Sequence, residues 1–374
     1  MRTVFWTFWV NTGISRIYNF FFGDGTPKVF ALDLHNAVLR DGYSFLVKNN
    51  LRFERWSISG TSNQFKEPNL RLKFINSKSW QFLDDQLIER FQERYKYTLD
   101  KQDGFLVAHT LAFVRLFHKF QKPMLAINST RYEAPFSFNE SEFKILNKIL
   151  QDLTMYSRLR IISNNVGDRD YLEFFSGIKS DHIPSLCDYI PRRSPKNKDW
   201  IILSRNVDLS FEIASFGVNL RSQYEKYPNG YSHKEFSKNF GVVYIPHNIS
   251  TMRLFELATA GFPVRIPSDK LLMELVNLPG VLSELSWIQV AGKPCPNWLL
   301  NTPADPEWPH FYSWWLERAD WKLLQYFPNV STFDCFSELA QDIPNIQDPT
   351  LRNELLRSEW SGIYSDFAHS MRRS

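Results

Sequence analysis

The polar residues of segment 241–268 have the types and spacing of an anion-binding helix start. The segment reads GVVYIPHNISTMRLFELATAGFPVRIPS. A predicted buried strand is followed by Asn248, Ser250 and Thr251, each of which can cap a helix with a side-chain oxygen. The free N–H groups and partial positive charge at such a helix start favour a diphosphate. Glu256, just past the first turn, could accept hydrogen bonds from ribose hydroxyls. The alternative is an ordinary strand–helix–strand unit with a capped helix and a surface glutamate.

Asp33 and His35 follow the first strongly apolar run of the chain, KVFALDLH, which predicts a buried strand. Ligands of open α/β sheets bind at the carboxyl ends of the strands, where these two side chains fall. His35 could act as a general base because the ordinary pKa of an imidazole lies near neutrality. The alternative is that both residues hydrogen-bond the backbone of their loop.

Arg131 and Glu133 follow a later predicted strand, within the sequence NSTRYEAP. They should lie on the same sheet edge as Asp33 and His35. There they would form the acceptor side of a ligand-binding cleft. Arg131 could bind a phosphate or an acidic acceptor group, and Glu133 could act as a base. The alternatives are a structural Arg–Glu pair or capping of the loop.

Arg205 ends the predicted strand DWIILSRN, which begins the second half of the chain. Its guanidinium is planar and permanently charged, which suits a diphosphate. Since Arg205 and the predicted helix start at Ser250 should share one cleft edge, the sequence favours a phosphate-binding role. The alternative is a salt bridge to a nearby carboxylate such as Asp208.

Strands and helices alternate along the whole chain, which predicts an α/β fold with parallel sheets. A length of 374 residues suits two domains, and the polar, proline-rich segment around PRRSPKNK indicates the boundary between them. We therefore expect a first domain at 1–190, a second domain at 191–346 and a C-terminal helix at 347–374. The aromatic-rich segment 1–27 should add a strand–helix unit to the first domain; the alternative is contact with a membrane surface or a partner.

The segment LFELATAGFPV resembles the donor site of GT-B glycosyltransferases, in which a glutamate contacts the ribose and an Ala/Gly-Pro-Val turn follows the helix. The wider pattern IPHNISTMRLFE is similar to GT-B-like transferases that carry N-x-S-T-M-x-x-F-E at this position. The segments DGFLVAHT and NSTRYEAP also resemble those transferases. The earlier glutamate of the two-glutamate motif is missing, and His247 or Asn248 stands near its place. The resemblance therefore leaves retention or inversion open.

This resemblance implies two Rossmann-like domains that face each other across a cleft, with a C-terminal helix that crosses back to the first domain. It implies Glu256 at the ribose and Arg205 at the phosphates of the donor. It also implies that the first domain holds the acceptor and supplies a catalytic histidine, either His35, with Asp33 beside it, or His109. No bound cofactor and no metal ion would be required.

The function expected on these grounds is metal-independent transfer of a hexose from a nucleotide-diphosphate sugar to a glycan, glycoconjugate or other hydroxyl acceptor. The alternatives are a sugar-nucleotide epimerase of the same architecture and a non-catalytic protein that binds sugar nucleotides or glycans. A DNA-glycosylating enzyme is a narrower variant.

Composition excludes some function classes. A net charge of +4 is too small to favour a nucleic-acid partner. Three scattered cysteines form neither a disulfide framework nor a metal motif, which favours a reducing compartment and a cytoplasmic location. Aromatic residues make up 16% of the chain, and we expect most of them in the cores.

Overall fold

The structure, a computed structural model, describes residues 26–58, 75–205, 220–340 and 348–373. The extra unit predicted for residues 1–27 lies outside the described residues, apart from its last two positions. Asp208, the predicted alternative partner of Arg205, also lies outside them.

The first domain is built on a parallel sheet. Within the described residues its strands follow the order β2-β1-β3-β4-β5-β6, and every neighbouring pair is parallel. The central strands are buried on both faces and read as nearly continuous apolar runs, as parallel strands covered by helices do. They are Lys28–Asp33 (β1), Arg52–Ser57 (β2), Gly104–His109 (β3), Met124–Asn128 (β4), Leu159–Ser163 (β5) and Asp181–His182 (β6).

Helices connect these strands. They are Asn36–Lys48 (α1), Asp85–Leu99 (α2), Glu140–Met155 (α3) and Val166–Ser176 (α4), with 3-10 turns at Trp80–Phe82, Leu111–Leu116, His118–Phe120 and Phe136–Phe138. Asp84 caps α2 by accepting from Leu87 N at 2.7 Å, and Asp85 pairs with Arg115. These two adjacent carboxylates therefore have structural roles.

The second domain has a parallel sheet of its own. In the described residues its order is β11-β10-β9-β7-β8. The strands are Trp200–Leu203 (β7), Leu220–Ser222 (β8), Gly241–Tyr244 (β9), Val264–Pro267 (β10) and Val330–Phe333 (β11). Its helices are Gln223–Lys226 (α5), His233–Phe236 (α6), Met252–Ala260 (α7), Asp269–Leu275 (α8), Trp287–Ala291 (α9) and Phe311–Glu317 (α10), with 3-10 turns at Asn297–Leu299, Asp320–Lys322 and Phe336–Ala340.

The C-terminal helix, Thr350–Arg373 (α11), crosses back onto the first domain. Its Tyr364 ring stacks on Phe45 of α1 with centroids 5.7 Å apart, and Trp360 Nε1 donates to Pro184 O at 3.0 Å. The predicted fold class, two Rossmann-like domains with a helix returning to the first, is confirmed. The predicted boundary at 190/191 falls in the segment between β6 and β7.

No helix among the described residues combines the length and apolar character that a membrane span requires.

Candidate active site

A cleft of about 520 Å³ lies between the two domains. In each sheet the chain reverses its strand order at one point, between β1 and β3 in the first and between β7 and β9 in the second. Ligands of open parallel sheets bind outside the carboxyl ends of the strands at such points. Both points open onto this one cleft. Its lining is His35, Val38, Trp80, Gln81, His109, Ser129, Thr130, Arg131, Asn164, Arg205, His247, Asn248, Ser250, Thr251, Met252, Phe255, Glu284, Ser286, Trp287 and Val290.

The first domain contributes two histidines. His35 follows β1 at the N-cap position of α1, where its side chain makes no capping hydrogen bond, and His109 ends β3. Their rings lie with centroids 6.1 Å apart and an angle of 26° between the planes. His109 has a φ of +88°, a backbone conformation that costs on the order of 1–3 kcal/mol in a non-glycine residue and that is concentrated at functional sites. The fold thus holds this side chain at the cleft against a local backbone preference.

Both imidazoles are neutral at pH 7. Burial above all, with electrostatic coupling to the neighbouring His35 and the charge of Arg131, lowers the pKa of His109 to about 3. His35 is exposed to the cleft, yet desolvation by the surrounding protein lowers its pKa, and the charge of Glu256 opposes this lowering. His35 is therefore the imidazole better able to accept a proton. Ser129 Oγ lies 3.4 Å from His109 Nδ1.

Asp33 does not line the cleft. It is fully buried at the end of β1, where Ser57 Oγ donates to its Oδ1 at 2.8 Å. Burial raises the pKa of this carboxyl to about 7, against the hydrogen bond from Ser57 and the charge of Arg55. Its position corrects the predicted catalytic role of Asp33, because this carboxyl is buried outside the lining that His35 and His109 share.

The second domain contributes the amino terminus of α7. Thr251 is the cap, and its side chain accepts from Leu254 N at 3.3 Å. Tyr244 Oη lies 2.6 Å from Thr251 Oγ1 and holds that side chain in place. Asn248, Ser250 and Thr251, the three predicted donor-side residues at this helix, all line the cleft. The helix ends at Gly261 with a φ of +79°, as its sequence predicts.

Arg205 follows β7 and lies on the same cleft edge, with its side chain half exposed. It forms an ion pair with Glu284. The other oxygen of that carboxylate, Oε2, lies 3.8 Å from His247 Nε2. Desolvation lowers the pKa of His247, while the charge of Glu284 raises it. Gly280, four residues before Glu284, packs directly against the backbone of Arg205. Only glycine fits there, because a Cβ at position 280 would lie 1.7 Å from Arg205 O.

Glu256 lies on α7 but outside the cleft lining, and it is 8% exposed. Tyr189, in the segment between the sheets, donates its hydroxyl to Glu256 Oε1 at 2.9 Å. Arg253 pairs with Oε2 at 2.8 Å. The carboxylate thus already has two partners, one of them a hydroxyl.

Arg131 links the two domains. Its side chain is 3% exposed, and Nε pairs with Asp168 Oδ1 at 2.9 Å. Nη1 donates across the domain boundary to Leu285 O at 2.6 Å, and the guanidinium lies 4.7 Å from the centroid of the Trp315 ring. These contacts correct the predicted ligand-binding role: Arg131 borders the cleft, but its guanidinium is used for structure.

Glu133 is buried and does not line the cleft. Tyr171 Oη donates to its Oε1 at 2.9 Å, and Ser137 Oγ donates to the same oxygen at 3.1 Å. Burial raises the pKa of this carboxyl to about 7. Its position corrects the predicted role as an acceptor base, because an acceptor in the cleft has no access to it. The predicted Arg–Glu pair is also replaced, since Arg131 pairs with Asp168 instead.

The lining also includes residues that were not predicted as site residues from the sequence, among them Glu284, Trp80 and Trp287. Glu284 lies in the irregular segment after α8, and Trp287 begins the short helix α9 that follows it; neither residue follows a strand directly. Their sequence signal is weak, because neither residue stands at the end of a predicted strand, where ligand-binding side chains of parallel sheets are expected.

Among the described ranges, no group of three or more His, Cys, Asp or Glu residues could hold a metal ion.

No protein-family model matches the chain, and no curated protein matches it either. Solved structures resemble it in fold. The glycotransferase of kitacinnamycin is 10% identical, with 92% of this chain and 97% of that chain covered and a TM-score of 0.44. The glycosyltransferase SnogD from Streptomyces nogalater is 9% identical, with 90% and 99% covered and a TM-score of 0.38.

The spinosyn rhamnosyltransferase SpnG complexed with thymidine diphosphate is 8% identical, with 91% and 96% covered and a TM-score of 0.34. Identities and scores of this size concern the fold alone, and a fold does not carry an activity with it. What the protein does must follow from its own cleft.

Proposed function

We propose that the protein is a glycosyltransferase that moves a sugar from a nucleotide-diphosphate sugar to a hydroxyl of a glycan or other acceptor without a metal ion. One observation carries this proposal. The two strand-order reversals face one cleft, and they bring the amino terminus of α7 and Arg205 opposite a pair of neutral imidazoles.

The second domain suits the donor. A diphosphate at the start of α7 would meet free backbone N–H groups and the positive end of the helix. Arg205 adds a permanent charge and a planar donor fork on the same edge. As the bond from the sugar to the diphosphate breaks, negative charge develops on the leaving oxygen, and preorganised donors of this kind stabilise it.

Glu256 remains the proposed ribose partner, with Tyr189 as a neighbour. Unlike Glu133, which is 1% exposed, Glu256 keeps 8% exposure, and Phe255 next to it lines the cleft. A carboxylate oxygen can accept more than one hydrogen bond, so ribose hydroxyls can share Oε1 with the Tyr189 hydroxyl or displace it. Arg253 fixes the orientation of the carboxylate from the other side.

The first domain suits the acceptor. His35 Nε2 or Nδ1 accepts the proton of the acceptor hydroxyl as that oxygen attacks the anomeric carbon, and the nucleoside diphosphate leaves with the electron pair of the broken bond. His35 suits this task because it is neutral at pH 7 and open to the cleft. His109, whose pKa of about 3 makes it a weak base, would hydrogen-bond the acceptor and position it.

The proposal is tested by thermal melting of the purified protein against UDP, GDP, CMP, ADP and their common sugar conjugates. A ligand selective for the folded state stabilises it by about 2.7 kcal/mol at a hundredfold excess over its dissociation constant. We expect one diphosphate to raise the melting temperature, and Arg205→Ala and Glu256→Ala to remove that rise. Turnover of the matching sugar nucleotide should persist in EDTA.

The absence of a shift with every nucleotide would refute the donor site. A shift without turnover, unchanged in His35→Ala, would instead indicate a non-catalytic sugar-nucleotide-binding protein.

A further inference from the structure

One wall of the cleft is formed by two tryptophans from different domains. Trp80 begins the 3-10 turn before α2, and Trp287 begins α9. Their ring centroids are 6.0 Å apart, with an angle of 62° between the planes. On its other side Trp80 meets Phe113 edge-on, with centroids 6.4 Å apart. The two indoles therefore form a fixed corner in the cleft.

The side chain of Trp287 has one polar atom, and that atom is already used. Its Nε1 donates to Arg131 O at 3.2 Å, while the Arg131 guanidinium donates back to Leu285 O at 2.6 Å. This pair of bonds attaches the start of α9 to the first domain. The remaining surface of the indole is carbon, so it can offer a ligand only apolar contact.

Val290 extends this apolar surface. It lies three residues after Trp287 on α9, so the two side chains share a helix face, and both line the cleft. Val290 is 47% exposed. An exposed aliphatic side chain beside a partly exposed indole leaves apolar surface open to the same cleft that His35 and His109 line.

We propose that Trp80, Trp287 and Val290 form a subsite for a flat ring of the hydroxyl acceptor. The inference rests on the proposed function and deepens it by naming the chemical class of the acceptor. Indole faces bind flat apolar surfaces, and both the C–H face of a pyranose and an aryl ring present one. A ring held here would lie in the cleft of the two imidazoles while its hydroxyls remain free to point away from the wall.

Binding of small ring probes tests the subsite without a donor. Saturation-transfer NMR titrations would use methyl β-D-glucopyranoside as the pyranose alone, 4-nitrobenzyl alcohol as the aryl ring alone, and 4-nitrophenyl β-D-glucopyranoside as both. Glycerol is the hydroxyl compound without a ring. We expect at least one ring probe to bind saturably and more tightly than glycerol, and its identity distinguishes a sugar acceptor from an aromatic one.

Variants assign the binding to this wall. Trp287→Ala should weaken the bound ring probe about tenfold, and Trp287→Phe, which keeps a ring, only about threefold. Val290→Asp places a charge on an already exposed position, so it should weaken binding without affecting folding. Trp314→Ala is the matched control: this half-buried tryptophan lies outside the cleft lining and should leave binding unchanged.

Ring probes that bind no better than glycerol would overturn the subsite, as would wild-type affinity in both Trp287→Ala and Val290→Asp. The nucleotide melting shift separates this failure from that of the proposed function. A shift without ring binding would refute the subsite alone. Ring binding without a shift would refute the donor site and leave the subsite standing.

Discussion

The imidazoles of His35 and His109 lie 6.1 Å apart, centroid to centroid, across the strand-order reversal of the first sheet. The groups that act on His109 all lower its pKa, and one of them is His35 itself. At His35 the charge of Glu256 opposes the lowering. A single proton entering this pair is therefore held at His35, which distinguishes the two histidines chemically.

Replacing His35 should abolish most of the transfer activity. We expect His35→Gln to lower kcat by about 100- to 10,000-fold, the usual contribution of a general base, while the nucleotide melting shift is retained. His369→Gln, at an exposed position of α11, is the matched control and should have wild-type activity.

The pH dependence of the reaction should report the same group. Burial lowers the folded-state pKa of His35 below its usual 6.5, so the imidazole stays neutral until the pH falls below that value. We expect kcat/KM to decline only as the pH drops below 6.5. An acid limb at or above pH 6.5 would contradict the assignment of His35 as the base.

The ion pair between Arg205 and Glu284 predicts opposite effects of two substitutions on nucleotide affinity. Arg205→Ala removes a charge-assisted contact and should raise the dissociation constant of the diphosphate by about 10- to 100-fold. Glu284→Gln removes the carboxylate that competes for Arg205 and should lower this dissociation constant. Isothermal titration calorimetry at fixed ionic strength measures both.

The matched control for this pair is Arg192→Ala. Arg192 forms a comparable exposed pair with Asp348, at 3.2 Å, outside the cleft lining. Equal losses of affinity in Arg205→Ala and Arg192→Ala would mean a non-specific charge effect and would contradict a phosphate site at Arg205.

The contacts of Arg131 predict a large loss of stability when it is replaced. Arg131→Met leaves the buried Asp168 carboxylate without its ion pair, which typically costs about 3–5 kcal/mol in the free energy of unfolding. The double variant with Asp168→Asn should recover part of this loss. Urea denaturation measures the free energy of unfolding of each variant.

Arg160→Met provides the comparison, because the pair of Arg160 with Asp181 is exposed and such pairs contribute about 0–1 kcal/mol. A loss in Arg131→Met no larger than that in Arg160→Met would show that Arg131 does not hold the domains together.

Glu133 predicts a stability change with pH of a definite sign. Its folded-state pKa of about 7 lies above the ordinary value of 4.5, so the folded protein binds more protons between these values. The resulting stability is fully present below pH 4.5 and is lost as the pH rises through 7. Between pH 5 and pH 8, the free energy of unfolding of Glu133→Gln should fall by about 3 kcal/mol less than that of the wild type. Equal pH slopes in both proteins would refute the shift.

The sequence by itself determined most of the strands and helices, because apolar runs, caps and breakers act locally. Thr251 at the start of α7 and Gly261 at its end are examples. It also placed His35, His109 and Arg205 at the cleft, since parallel strands bring their carboxyl ends to one edge. The crossing of the C-terminal helix followed from the resemblance rather than from any local pattern.

Only the tertiary structure decided which polar residues reach the cleft and which are used for packing. Arg131 and Glu133 follow a strand as His35 does, yet one links the domains and the other is buried beside Tyr171. Glu284 and Trp287 reach the cleft from an irregular segment and from the start of α9, more than 150 residues away along the chain from Arg131, which they contact. Local sequence carries no signal for such contacts, because they depend on how two separately folded sheets meet.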